Sequence, residues 1–417
     1  MINKNSLIGT IRQGFLDAAY VWKQEMKMIF KDAGVMIFLF ILPLGYPVIY
    51  GLIYNPEVPR DIPIIVVDEA RTPLSREYCR MLDATSQTKV AGYAANMTEA
   101  KAVTAEQGAF GILHFDRNFE KNIYRGIQSH VTLYSNMNSL LYYRSLLSAN
   151  TDVMAAFNTQ IQEKGLVGAT VKQQSMALNP IKNTAISLFN PASGFATFVM
   201  PAVEVLVIQQ SLLLAIGMLA GSMRERNRNR ELVPLNFHYF GTFRIVLGKA
   251  MCFLAISILT SFWTMSVVPQ LFSYPRLGNI MEIELFMLPF ILASIFMGMT
   301  FSCLIRGREL PMLFFVFMSI PLLFMSGISW PWASIPTAWK WVGSLIPSTY
   351  AIQGFVQMNS CGASLHDVKF YYLFEWGLVL LYFFTACVVY RMELRKSMRM
   401  LGKPHDKNIQ VDPEVIE

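Results

Sequence analysis

The chain has 417 residues, 53% of them hydrophobic and only 15% charged, with a formal net charge of +7. Soluble domains carry about 25% charged residues, so the deficit excludes an ordinary soluble protein and points to a bilayer. The positive charge sits beside apolar runs, where it orients a chain in a membrane, and no nucleic-acid partner is implied.

Ile11, Phe15, Ala18, Ala19, Trp22, Met26, Ile29 and Phe30 recur at helical spacing, with Lys23, Lys27 and Lys31 beside the stripe. The pattern predicts an amphipathic helix lying on the inner membrane surface, within a polar segment 1–33 that carries no signal peptide. Residues 34–54 run without a charge and reach the roughly 20 residues a span needs. Pro43 and Pro47 should kink that span. Residues 55–191 are different in kind. Short strand-like runs at 63–67, 89–93, 109–115 and 131–134 alternate with helical stretches at 72–84 and 98–107, and Thr98 with Glu99 reads as the start of the second. A long helix at 139–164 follows, and the segment reads as a small α/β domain.

Apolar runs at 192–223, 245–272, 285–305, 310–329 and 370–390 complete six predicted spans within 34–390, followed by a polar tail at 391–417. Between the second and third spans, segment 222–244 carries Arg224, Glu225, Arg226, Arg228, Arg230 and Glu231. Segment 330–358 is apolar but broken by Pro331, Pro336, Gly343, Pro347 and Gly354, with Trp330, Trp332, Trp339 and Trp341 along it. Such a stretch reads as a re-entrant hairpin in the outer leaflet, its aromatics at the interface. With the N-terminus inside, the inner segments hold 18 basic residues and the short outer ones only Arg276, Lys340 and Lys369. The positive-inside rule then places both termini in the cytoplasm and the α/β domain outside. The fold expected is an α-helical polytopic membrane protein with six transmembrane helices, an outer re-entrant hairpin and an extracytoplasmic α/β domain.

Sites of chemistry are sparse. Gly248-Lys249 is followed by Ala250 inside an apolar helix and cannot cradle a phosphate, and the five His form no metal spacing. Cys79 and Cys361 fall in predicted external segments, and both a disulfide and two separate thiols stay open for them. Glu204 lies in an apolar run, where a charge at mid-bilayer costs roughly 2.5–3.5 kcal/mol and so faces protein or water.

Four places carry a family resemblance: the helix before the first span; IPIIVVDEARTPLSREYCRMLDAT at 62–85; RERNRNRELVPLNF followed by RIVLGK; and SGISWPWASIPTAWKWVGSLIPSTYAIQGF at 326–355. Together they resemble the permease subunit of ABC-2 type (type V) ATP-binding cassette exporters, in the branch with a large external domain. The resemblance implies that Glu225, Arg226, Glu231, Leu232 and Pro234 form a coupling region for a separate cassette ATPase subunit. Where that family has Gly-Thr after the Glu-Arg pair, this chain has Asn227 and Arg228. It implies a hairpin built on Pro331, Pro336, Trp339, Pro347 and Tyr350. Read from the residues themselves, Glu204 with Gln209 or Gln210 nearby lines a substrate path or dimer seam, and the Met- and Phe-rich fourth and fifth runs, Met318 and Phe324 among them, offer an adaptable apolar substrate surface. A second permease chain is expected as partner and a periplasmic adaptor as a further one. The chain itself needs no cofactor and catalyses nothing, since ATP and magnesium belong to the partner. The expected setting is a bacterial inner membrane, and the expected substrate is hydrophobic or amphipathic. Two readings from other classes, a membrane-anchored receptor or sensor and an envelope assembly factor, remain alternatives.

Overall fold

The computed structural model describes residues 7–165, 188–190, 194–226, 232 and 241–401. The chain divides into two compact units, a helical one of Met1–Asn55 with Ala196–Glu417, and an α/β one of Pro56–Phe195.

The α/β unit contains β1 (Ile62–Asp68), β2 (Thr88–Ala94), β3 (Gly111–Phe115) and β4 (Val131–Ser135) in the order β2-β1-β3-β4. β1 pairs in parallel with both β2 and β3, while β4 runs antiparallel to β3. As the central parallel strand, β1 must be apolar on both faces, and its sequence IPIIVVD supplies that. Ile62, Ile64 and Val66 point to one layer, formed by Leu74, Tyr78 and Leu82 of α3 (Pro73–Asp83) and by Leu146, Val153 and Phe157 of α6 (Leu140–Gly165). Ile65 and Val67 point to the other, against Ala100 of α4 (Met97–Gln107). The alternation is the two-residue period of a strand. A short α5 (Phe119–Tyr124) links β3 to β4. Thr72 caps α3 in a capping box with Ser75. The cap of α4 is Asn96, two residues before the Thr98 expected from sequence. Asn96 accepts from the Glu99 amide at 2.9 Å, and Glu99 accepts from the Ala95 amide at 2.8 Å. Asn outcompetes Thr here because it reaches the third amide from an extended backbone.

In the helical unit, α1 (Leu7–Lys31) precedes α2 (Ala33–Tyr54), followed by α7 (Phe195–Arg226), α8 (Thr242–Leu271), α9 (Ile280–Phe301), α10 (Met312–Met325), α11 (Thr337–Ser344), α12 (Pro347–Cys361) and α13 (Lys369–Leu401). Among the described residues, five helices are long and apolar enough to cross a membrane: α2, α7, α8, α9 and the Lys369–Ser397 part of α13. The fifth run, expected at 310–329, forms the shorter apolar helix α10. It opens with a π turn just after Pro311 and gives way to Gly327, whose φ of +88° suits only a residue without Cβ. α9 starts at Ile280, earlier than the 285 expected, so Glu282 and Glu284 belong to it.

α7 is the central rod. Its most apolar window is 94% buried, against 22% for α2, which marks it as the element the others pack around. Proline shapes the two neighbours of this bundle. Pro47 offers no N–H to the Pro43 carbonyl, and Thr264 Oγ1 donates to that oxygen at 3.1 Å instead. Pro269 likewise leaves the Met265 carbonyl without its helical donor, and Arg276 donates to the Met265 and Ser266 carbonyls at 3.4 Å each. Both helices respond with a π turn, Ile37–Ile41 in α2 and Trp263–Val267 in α8.

Candidate functional site: a charged hub and an apolar groove

The end of α7 is where sequence and geometry concentrate. Gly217 and Gly221 leave one side of the rod bare. A Cβ at Gly221 would fall 2.6 Å from the Gly307 carbonyl oxygen, and one at Gly217 would fall 2.8 Å from Ile305. Small residues at this spacing let two backbones meet, so segment 302–310 lies directly on the rod. Arg308 follows from that approach. Its backbone N–H donates to Glu225 at 2.8 Å, and its guanidinium donates to Asp32 at 2.6 Å. Asp32 has three tasks. It caps the start of α2 through the amides of Gly34 and Val35, accepts from Ser222 Oγ at 3.0 Å, and pairs Arg308.

Arg224, also buried, donates to the Cys303 carbonyl at 3.3 Å and pairs Glu393 of α13 at 3.4 Å. Lys249 of α8 forms a buried ion pair with Glu25 of α1 and lies 3.8 Å from Met223 Sδ. Arg244, at the start of α8, pairs Asp17 of α1. Acidic residues at 17, 25 and 32 thus tie α1 and the start of α2 to both helices flanking the charged segment. Charges this buried are retained only in pairs. The hub therefore joins α1, α2, α7, α8, α13 and segment 302–310 into one body.

Of the expected coupling residues, Glu225 is engaged with Arg308, Arg226 is exposed, and Leu232 is buried in the helical core. Glu231 and Pro234 lie outside the described residues.

A groove of about 390 Å³ lies between α2, α7 and α10, bordered by Phe38, Tyr46, Tyr50, Gln210, Ser319 and Leu323. Gln210 is 8% exposed, and neither atom of its carboxamide finds a hydrogen-bond partner among the described residues. The site residues read from sequence do not gather here. Gln209 turns the other way and accepts from the Ser348 amide at 2.8 Å, capping the start of α12. Glu204 borders a small void with Met200, Pro201 and Asn359. Met318 and Phe324 lie on exposed faces of α10 and are not in the groove lining.

The segment of the expected hairpin forms α11 and α12. Pro336 caps α11 with an extended backbone, and Pro347 opens α12. Tyr350 is buried against Trp332, Phe370, Tyr371 and Phe374, with its hydroxyl 3.0 Å from Ser344 Oγ. Tyr382 donates to the Leu345 carbonyl at 2.6 Å, closing the turn between the two helices. Pro331 and Trp339 are exposed.

The sequence reading missed four acidic side chains. Glu25 and Asp32 sit in the hub. Glu284 accepts from Ser261 Oγ at 3.4 Å. Glu375 is fully buried in α13, with the backbone of Ala351 in α12 as its polar neighbour. A lone acid inside an apolar run was the available signal, the same one that marked Glu204.

Residues 33–389 match the model of the ABC-2 family transporter proteins. ABC transporter G family member 20 of Dictyostelium discoideum is 22% identical over 377 residues, covering 88% of this chain and 50% of that protein. The chain therefore spans about half the length of that curated relative. With a family match across most of its length and five helices of spanning length and composition, the chain belongs to the ABC-2 transporter family, as a multi-pass membrane permease.

Proposed function

We propose that this chain is the membrane subunit of an ATP-binding cassette exporter, and that a separate ATPase subunit drives it by docking at the charged hub. The observation that carries this reading is the hub itself. A push on the end of α7 cannot stay local when Glu225, Asp32, Arg308, Arg224 and Glu393 bind segment 302–310, the start of α2 and α13 to it. Rigid bodies joined in this way transmit motion as a unit.

Two chains, identical or paralogous, pair along α2, α7 and α10, and a hydrophobic or amphipathic substrate travels in the groove between them. The unspent hydrogen-bonding capacity of Gln210 supports this, because a buried amide without a partner is costly until a ligand or a neighbouring chain supplies one. In this reading α10 is the fifth of six spans and α11–α12 is an outer re-entrant hairpin. The α/β unit faces outward, gating the exit or meeting a periplasmic adaptor. Both termini are cytoplasmic in a bacterial inner membrane, an orientation that the excess of basic residues in the inner segments supports.

Co-reconstitution with a cassette ATPase subunit from the same genome tests the reading. Vanadate-sensitive hydrolysis should respond to substrate only when both proteins are present. Arg308→Ala should retain assembly and lose that response. A response unchanged in Arg308→Ala, or hydrolysis indifferent to this chain, would refute the coupling role.

A further inference from the structure

The sheet of the α/β unit ends in two edge strands, and they are built differently. β2 closes one side. Its register with β1 jumps from Val90 to Gly92, and Lys89 stands exposed on it. A bulge and a lysine are common means of keeping a strand edge from pairing with another chain. β4 closes the other side with neither. It pairs with β3 without a break from Val131 to Ser135, and it holds no Pro and no charge. The surrounding segment 126–143 carries no Asp, Glu, Lys or Arg, although Arg125 and Arg144 bracket it. Its large apolar side chains are nevertheless open: Ile127 is 53% exposed, Tyr134 51%, Met137 63% and Leu140 62%. Uncharged apolar surface gathered along an unguarded strand marks a contact surface.

The backbone defines what fits there. The Asn136 amide donates to the Phe110 carbonyl at 2.8 Å. In an antiparallel ladder such bonds recur at every second pair, so Ile112–Tyr134 and His114–Thr132 are the bonded pairs within β4. Thr132 and Tyr134 thus direct N–H and C=O to β3. Val131, Leu133 and Ser135 direct theirs away from the sheet, and among the described residues no further strand pairs with β4. The edge offers the donors and acceptors of these residues to an extended strand.

We infer that β4 pairs antiparallel with β4 of a second copy of this chain, joining two four-stranded sheets into one across a two-fold axis at Leu133. This contact rests on the paired-chain reading above and adds to it a surface outside the helices. An antiparallel strand pair is what a two-fold axis generates, so one edge serves both copies. With Leu133 on the axis, Val131 faces Ser135 of the second copy, and about six backbone hydrogen bonds form. Thr132 comes opposite Tyr134 of the second copy, a β-branched residue against an aromatic one at the close spacing of a non-bonded pair. Both side chains are exposed in the single chain, so pairing covers them. No like charges meet, because segment 126–143 carries none. A second copy supplies an equally uncharged strand of equal length.

Cross-linking in membranes tests this pairing. Two full-length copies with different tags, both carrying Cys361→Ser to remove the exposed thiol, are co-expressed, one with Thr132→Cys and the other with Tyr134→Cys. Brief oxidation should link them into a disulfide dimer carrying both tags, because facing residues of a non-bonded pair stand about 4.5 Å apart at Cα. Copies with Lys89→Cys on the β2 edge should link roughly tenfold less. Leu133→Pro removes an outward N–H and leaves the β3 ladder whole, so it should lower the link to the Lys89→Cys level. Cys79 staying unreactive to a maleimide reports that the α/β unit of each variant is folded. The absence of the dimer, an equal yield from Lys89→Cys, or a link to another protein would each overturn the β4 pairing. If the two tags co-purify without the link, the copies pair through their helices alone and only this contact falls. If they do not co-purify, the paired-chain reading falls with it.

Discussion

Lys249 and Glu25 show what one side chain is asked to do in this protein. Lys249 sits near the start of a spanning helix, 4% exposed, and Glu25 is fully covered. Removing one member of a buried pair leaves a stranded charge and costs about 3–5 kcal/mol, whereas replacing both with apolar groups is often neutral. Lys249→Met should therefore lower the thermal midpoint of the purified protein sharply, and Glu25→Gln/Lys249→Met should recover most of the loss. A double variant no better than the single one would show that the pair is not what holds α1 to α8. Neither partner was visible as a pair in the sequence. Lys249 stood out as a charge in an apolar run, but Glu25 lies 224 residues away in a helix whose polar face looked solvated.

Among the elements, the strands and helices of the α/β unit were legible because their periods are clean and their caps are local. Five of the six expected spans were legible from length and hydropathy. Their ends were not, because a helix extends through Glu282 and Glu284 once neighbouring groups, the Leu365 amide at 2.7 Å and the Ser261 hydroxyl, donate to those carboxylates. The role of Gln209 was equally hidden. It reads as a polar residue beside Glu204, but its carbonyl oxygen fixes the first turn of α12. Without it the Ser348 amide loses a buried acceptor, at a cost of about 1–2 kcal/mol. Gln209→Ala should loosen α12, so that a cysteine placed at Ser348 becomes reactive to a small maleimide while the same cysteine with Gln209 present does not. Equal reactivity in the two backgrounds would remove Gln209 from that role. The groove was only half legible, since Gln210 was named beside its neighbour while Tyr46, Tyr50 and Ser319 are brought to it by three helices distant in sequence.

At the scale of the whole chain, two units with separate cores should fail separately. Cys79 is buried in the α/β unit, and that burial pushes its thiol from the ordinary 9.0 up to about 12. The neighbouring Tyr78 hydroxyl is raised by the same cause. A group raised on folding adds stability in full below its unfolded value and loses it as pH climbs toward the folded one. The α/β unit should thus weaken between about pH 9 and 12. All seven Trp lie outside residues 56–195. Alkaline titration should make the α/β unit sensitive to trypsin while tryptophan emission holds, and a simultaneous loss of both would mean the units unfold together. At neutral pH a maleimide should label the exposed Cys361 and spare Cys79.

The final helix runs without a break from Lys369 to Leu401, and Glu393 on it grips Arg224 at the foot of the central rod. The end of this helix is therefore a brace for the part of α7 on which the proposed ATPase subunit would press. A deletion ending before Glu393 would leave every spanning helix intact by length, yet strip Arg224 of its counter-ion. Cargo would then stall in a carrier that still inserts.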